Sequence, residues 1–177
     1  SLTNLDVSNL NNIASLVGIE DFISLTNLGC HHNVLTSLDL TQNNSLTNLE
    51  CGFNQLTSLD VSNNTALTIL QCSSNQLNNI DVSNNTALTT LQCSSNQLTS
   101  LDLTQNTALA SLHCYTNQIS SLDLTQNINL TFLRCESNQL TSLDLTNNTS
   151  LNYFYCDNNQ LSALDLSNNN GLIRLSA

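Results

Sequence analysis

From Leu25 onward the apolar positions follow one pattern that restarts every 21 residues, at Leu46, Leu67, Leu88, Leu109, Leu130 and Leu151. Each unit reads as two similar halves, LxxLxCxxNx of ten residues and LxxLDLxxNxx of eleven. In the first half Leu28 and Cys30 alternate with Asn27, Gly29 and His31. That period of two marks a strand with one buried face. Leu38 and Leu40 do the same around Asp39. Each unit therefore predicts two short parallel strands, or one strand and one strand-like extended segment. Stacked units would form two parallel sheets at about 4.8 Å per rung. The inward set is Leu25, Leu28, Cys30, Leu35, Leu38 and Leu40 with their equivalents. One coil cannot bury that set, but stacked neighbours can.

The nested halves resemble bacterial leucine-rich repeats of 21 residues, the type called IRREKO, over residues 25–177. The resemblance implies a mainly β, right-handed leucine-rich-repeat solenoid of about eight coils, with parallel strands on two faces. Residues 1–24 depart from the register. Leu2, Leu5 and Val7, then Ile13, Leu16, Gly18, Ile19 and Phe22, resemble a longer, internalin-type repeat. The expected organisation is a divergent N-terminal repeat at 1–24, seven repeats at 25–171 and the start of a further repeat at 172–177. That last stub leaves an unpaired edge. Further repeats, another domain or end-to-end self-association through the open C-terminal coil are expected to cover it.

Composition narrows the picture. Aromatics are 4% of the chain against 40% apolar residues, so the core must be aliphatic. Thirteen acids face only Arg134 and Arg174, giving a net charge of -11. Nucleic acids and anionic membranes need basic patches, so neither is an expected partner. No apolar run is long enough to span a bilayer, and membrane insertion is not expected. No leader is present, so a signal peptide is expected to have been removed or to lie outside this segment. A first residue other than Met fits a processed chain or a fragment.

The seven cysteines, Cys30 to Cys156, stand 21 residues apart. No close metal-ligand spacing occurs among them. Two readings stand: a small apolar filler stacked through the core, or disulfides between coils. Side chains in register point in parallel, which suits the disulfide torsion poorly. Two asparagine columns, Asn33 to Asn159 and Asn43 to Asn169, sit just past the two extended segments. There an amide can pair with backbone groups that the turns leave free. The aspartate column, Asp39 to Asp165, supplies seven of the thirteen acids. Its readings are solvation with hydrogen bonds from flanking Ser and Thr, or a row of weak calcium sites; an ice-binding reading of the flanking Ser/Thr rows is opposed by the charged row running through them.

Variation among the units separates the two halves. The position after Leu38 is Asp in all seven units, whereas its first-half counterpart reads Gly29, Glu50, Gln71, Gln92, His113, Arg134 and Tyr155. The chain holds twelve Phe, Tyr, His or Arg residues, and ten lie in four first-half columns. Such a row on a repeat scaffold predicts a binding face, and the resemblance places it on the concave side. The richer, C-terminal part contains His113, Tyr115, Phe132, Arg134, Glu136, Tyr153, Tyr155, Asp157 and Arg174. A smaller group is His31, His32, Glu50 and Phe53. No nucleophile is paired with an orienting base in a sheltered pocket, so no enzyme activity is expected. No motif implies a cofactor. The chain is expected to be a non-catalytic binding module of a secreted or cell-surface bacterial protein, mediating protein–protein interaction or adhesion. A carbohydrate-binding module and a structural spacer are the alternatives.

Overall fold

The computed structural model describes residues 1–177. Nine three-residue strands form one parallel sheet in chain order. They are β1 (Asn4–Asp6), β2 (Asn27–Gly29), β3 (Asn48–Glu50), β4 (Ile69–Gln71) and β5 (Thr90–Gln92), then β6 (Ser111–His113), β7 (Phe132–Arg134), β8 (Tyr153–Tyr155) and β9 (Arg174–Ser176). Their register stacks equivalent residues, so Leu28 pairs with Leu5 on one side and Leu49 on the other. The fold is the expected parallel-strand solenoid. A short 3-10 turn at Ile19–Asp21 interrupts the first coil.

Of the two forms predicted for a coil, the chain takes one strand and one extended segment. The second parallel sheet does not form. The Asp-x-Thr/Ser sequence there takes up one backbone amide per coil. Thr41 N–H, which a sheet would hand to the neighbouring coil, is taken by Asp39 Oδ1 at 3.0 Å. The Thr41 hydroxyl donates to the same oxygen at 2.7 Å. Asp60, Asp81, Asp102, Asp123, Asp144 and Asp165 bind the backbone two residues on in the same way. A side chain that captures a nearby amide competes with a ladder bond.

The core is one cluster of 39 buried apolar residues running the length of the stack. It contains the Leu25, Leu28, Cys30, Leu35 and Leu40 columns, and Leu38 packs against it partly exposed. Phe154 replaces a leucine in the Leu28 column and is fully buried. All seven cysteines are free and buried. Burial pushes the Cys30 and Cys72 thiols up to about 12.

The two asparagine columns bind differently. Asn96 Nδ2 donates to Cys72 O at 3.1 Å and Cys93 O at 3.0 Å, while its Oδ1 accepts Leu77 N–H at 3.0 Å. Each member of this column joins two coils through both ends of its amide. In the second column Asn85 Nδ2 donates to Val61 O at 3.0 Å and Asn64 O at 2.9 Å. Its Oδ1 is buried and accepts nothing, as in all seven members. The expectation that both columns would donate and accept therefore holds for the first alone. A further ladder lies at Thr26, Thr47, Thr68 and Thr89, whose hydroxyls donate to a carbonyl of the preceding coil at 2.9–3.1 Å.

Candidate functional site

The outward side chains of each strand, together with those just past its end, form the varied face. Because the strands are in register, residues far apart in sequence become neighbours across rungs. His113, Arg134 and Tyr155 are consecutive in one column, and Ser111, Phe132, Tyr153 and Arg174 in another.

The C-terminal residues singled out above interlock. The His113 ring stacks on Phe132 with centroids 4.9 Å apart and planes 16° apart. Phe132 meets Tyr153 at 5.6 Å and Tyr155 at 5.9 Å on tilted planes. The Arg134 guanidinium lies over Tyr115 at 4.2 Å and near Tyr155 at 5.5 Å. Arg174 approaches Tyr155 from the next rung at 5.4 Å. Such cation–ring contacts contribute about 0.5–2 kcal/mol, more where water is excluded.

The two acids of this group act differently: Glu136 holds Arg134, and Asp157 bonds outside the rings. Arg134 Nε donates to Glu136 Oε1 at 2.7 Å, and Nη2 donates to the same oxygen. The Glu136 side chain is only 13% exposed, so it braces the arginine more than it meets solvent. Asp157 Oδ1 accepts the Ser176 hydroxyl at 2.8 Å. Burial and then the Arg134 charge lower the His113 pKa, which favours the neutral ring that stacks on Phe132.

The N-terminal group assembles separately. His32 stacks face to face on Phe53 at 4.1 Å, while His31 stands edge-on to His32 at 5.4 Å. His31 Nδ1 lies 3.6 Å from Glu50 Oε2. Phe53 remains 53% exposed. Between the two groups the face carries Gln71, Ser73, Gln92 and Ser94, with Ser94 buried.

One column has a second role that its varied composition conceals. His32, Phe53, Ser74, Ser95, Thr116, Ser137 and Asn158 all take positive φ, between 54° and 56°. They are the turn residues that carry the chain out of each strand. Left-handed backbone favours glycine, then asparagine, aspartate and histidine, so His32 and Asn158 conform and the other five do not. Phe53 thus reaches its stack on His32 from a strained turn.

No family model and no curated protein matches the chain. Solved structures do. The functional domain of InlJ from Listeria monocytogenes, described as including a cysteine ladder, is 44% identical with a TM-score of 0.78 over 98% of this chain and 43% of that one. The chain is an internalin-like, bacterial leucine-rich-repeat solenoid. A leucine-rich-repeat protein of Leptospira interrogans is 28% identical with a TM-score of 0.92 over 99% of this chain and 48% of that one. Internalin C2 of Listeria monocytogenes is 25% identical with a TM-score of 0.90, covering 98% of this chain and 80% of that one. The internalin-like array spans less than half of the first two relatives. No helix in it is long and apolar enough to cross a membrane.

Proposed function

We propose that the internalin-like array is a non-catalytic binding module that holds a protein partner on the outward face of its sheet. The cluster from His113 to Arg174 supplies the affinity, within a secreted or cell-surface bacterial protein. The observation that carries this reading is the stacking of the rings on one another. Phe132 lies between His113 and the two tyrosines, and Arg134 lies between Tyr115 and Tyr155. Side chains fixed before contact lose little conformational entropy on binding, about 0.5–1.5 kcal/mol less per side chain. Tyr and Arg in such packed settings are the usual anchors of protein interfaces.

The same stacking counts against sugar recognition. A sugar ring packs on an open aromatic face, and the faces of Phe132 are covered by its neighbours. Tyr153 and Arg134 remain partly exposed for a partner, which suits the mixed chemistry of a protein surface. The buried, poorly acidic thiols offer no nucleophile on this face. Parallel binding of the labelled chain to an extracellular-protein array and a glycan array tests the reading. Saturable protein hits without glycan hits support it, and saturable glycan binding alone overturns it.

A further inference from the structure

Glycine follows asparagine once in the chain, at Asn170–Gly171; the other glycines follow Val17, Leu28 and Cys51. The pair forms the centre of a four-residue turn, closed by Leu172 N–H donating to Asn169 O at 3.1 Å. Both ends of the turn are held. Asn169 Nδ2 donates to Leu145 O at 3.2 Å and Asn148 O at 2.9 Å, and Asn152 Nδ2 donates to Gly171 O at 3.0 Å. The peptide between them is not held. Asn170 O accepts no backbone hydrogen bond and Gly171 N–H donates none. Both residues are exposed. Thr65, Thr86, Thr107 and Thr149, which stand in the place of Asn170 within the stack, are exposed too, so the exposure is a property of the coil.

At other exposed asparagines the fold ties down the amide that follows. Asn63, Asn84 and Asn147 precede Asn64, Asn85 and Asn148, whose N–H groups donate to Val61 O, Val82 O and Leu145 O at 2.9–3.0 Å. Such a nitrogen must first give up a hydrogen bond before it can react. Asn44 stands where Asn170 does, but the next residue is Ser45, which carries a Cβ and is anchored by its hydroxyl to Ile23 O at 3.2 Å. Gly171 has no Cβ to hinder either the approach of its nitrogen or the rotation that brings it round.

We propose that Asn170 is a site of spontaneous deamidation directed by this turn. The Gly171 nitrogen loses its proton to solvent base and attacks Asn170 Cγ. The new N–Cγ bond closes a cyclic imide as the Cγ–Nδ2 bond breaks, and Nδ2 leaves as ammonia with a proton from solvent. Water then opens the imide at Cγ to give an aspartyl residue, or at the main-chain carbonyl to give an isoaspartyl residue. One ammonia leaves, one water enters, and nothing is oxidised or reduced. Either product adds a negative charge. The isoaspartyl form also lengthens the main chain by one carbon inside the turn, which breaks the bond from Leu172 N–H to Asn169 O. That turn leads into β9, whose Arg174 approaches Tyr155 at 5.4 Å, so the change reaches the last rung of the varied face. The site does not depend on that face binding anything.

The test is to age the folded chain in mildly alkaline buffer made with heavy-oxygen water and to read its peptides by mass spectrometry. Heavy oxygen is expected at Asn170 ahead of every other asparagine, in both aspartyl and isoaspartyl products. Asn170→Thr, which installs the residue found at Thr65, Thr86, Thr107 and Thr149, should abolish the label. A Cβ at Gly171 meets nothing closer than Asn152 Nδ2 at 3.4 Å, so Gly171→Ala keeps the fold. That variant should slow the labelling about tenfold, a barrier rise of about 1.4 kcal/mol. Hydrogen exchange at Leu172 should become fast in the isoaspartyl chain. Label at Asn170 only after unfolding in urea would overturn the proposal, because the turn would then protect the pair. So would equal labelling at Asn44, Asn63 and Asn84, or a Leu172 amide that stays protected in the isoaspartyl chain.

Discussion

Replacing Asn96 with alanine tests how the coils are joined. The substitution removes three donated bonds and one accepted bond. The carbonyls have other partners: Cys72 O keeps Asn75 Nδ2, Cys93 O keeps Asn117 Nδ2 and Ser94 O keeps Ser74 N–H. Leu77 N–H has none, because Asn96 Oδ1 is its acceptor. The cost is therefore dominated by one orphaned, buried amide, about 1–3 kcal/mol. Asn85→Ala in the other column provides the comparison. Val61 O and Asn64 O keep backbone donors, and the Oδ1 that is lost had no partner. Asn96→Ala should thus be the more destabilising of the two, by about 1–2 kcal/mol. Urea unfolding followed by circular dichroism measures the difference, and hydrogen exchange at Leu77 reads its cause. An equal or milder loss for Asn96→Ala, or a Leu77 amide still protected in that variant, would refute the reasoning.

The turn column gives a second prediction. Thr116 is β-branched at φ 54°, so Thr116→Gly should raise stability by about 1 kcal/mol, and an unchanged or lower urea midpoint contradicts this. The thiols should react in order of shelter. Cys156 is raised only to about 11 and lies in the last repeat, whereas Cys72 is raised to about 12 within the stack. A thiol reagent at neutral pH should label Cys156 first in the folded chain and all seven cysteines only after unfolding; uniform labelling of folded protein contradicts this. The aspartate column sets the acid response. Asp39 is held below its usual 3.8 by the hydroxyl and N–H of Thr41, and Asp102 by the N–H and hydroxyl of Thr104. A carboxyl depressed on folding stabilises above its unfolded value and loses that contribution as pH falls through the folded one. The urea midpoint should hold from about pH 7 to 5 and decline below about pH 4, and a flat profile into strong acid contradicts it.

The buried columns were legible because alternation and the 21-residue period act on the same residues. Alternation alone places Leu28, Cys30 and Leu49 inward, and they are buried in register. The second half was half legible. Leu38 and Leu40 alternate as a strand would, but the segment is extended without sheet pairing, and Asp39 binds the Thr41 N–H and hydroxyl. The uniformity of the Asp39 column therefore has a structural origin. Its contrast with the varied face no longer argues for binding by itself. What supports binding is the contact among Phe132, Arg134 and Tyr155, which depends on rotamers that a sequence does not display. The positive φ at Phe53 and Thr116 was hidden because neither residue type signals a left-handed turn.

The central claim is that affinity resides in the interlocked C-terminal cluster. Alanine substitution at Tyr155, Arg134 and Gln92, measured against the strongest array partner, tests it most directly. Loss of about 2 kcal/mol or more, roughly thirtyfold in Kd, is predicted for Tyr155→Ala and Arg134→Ala. Gln92→Ala, on the polar middle of the same face, should leave affinity unchanged. Full affinity in both cluster variants, or equal losses in all three, would contradict the claim.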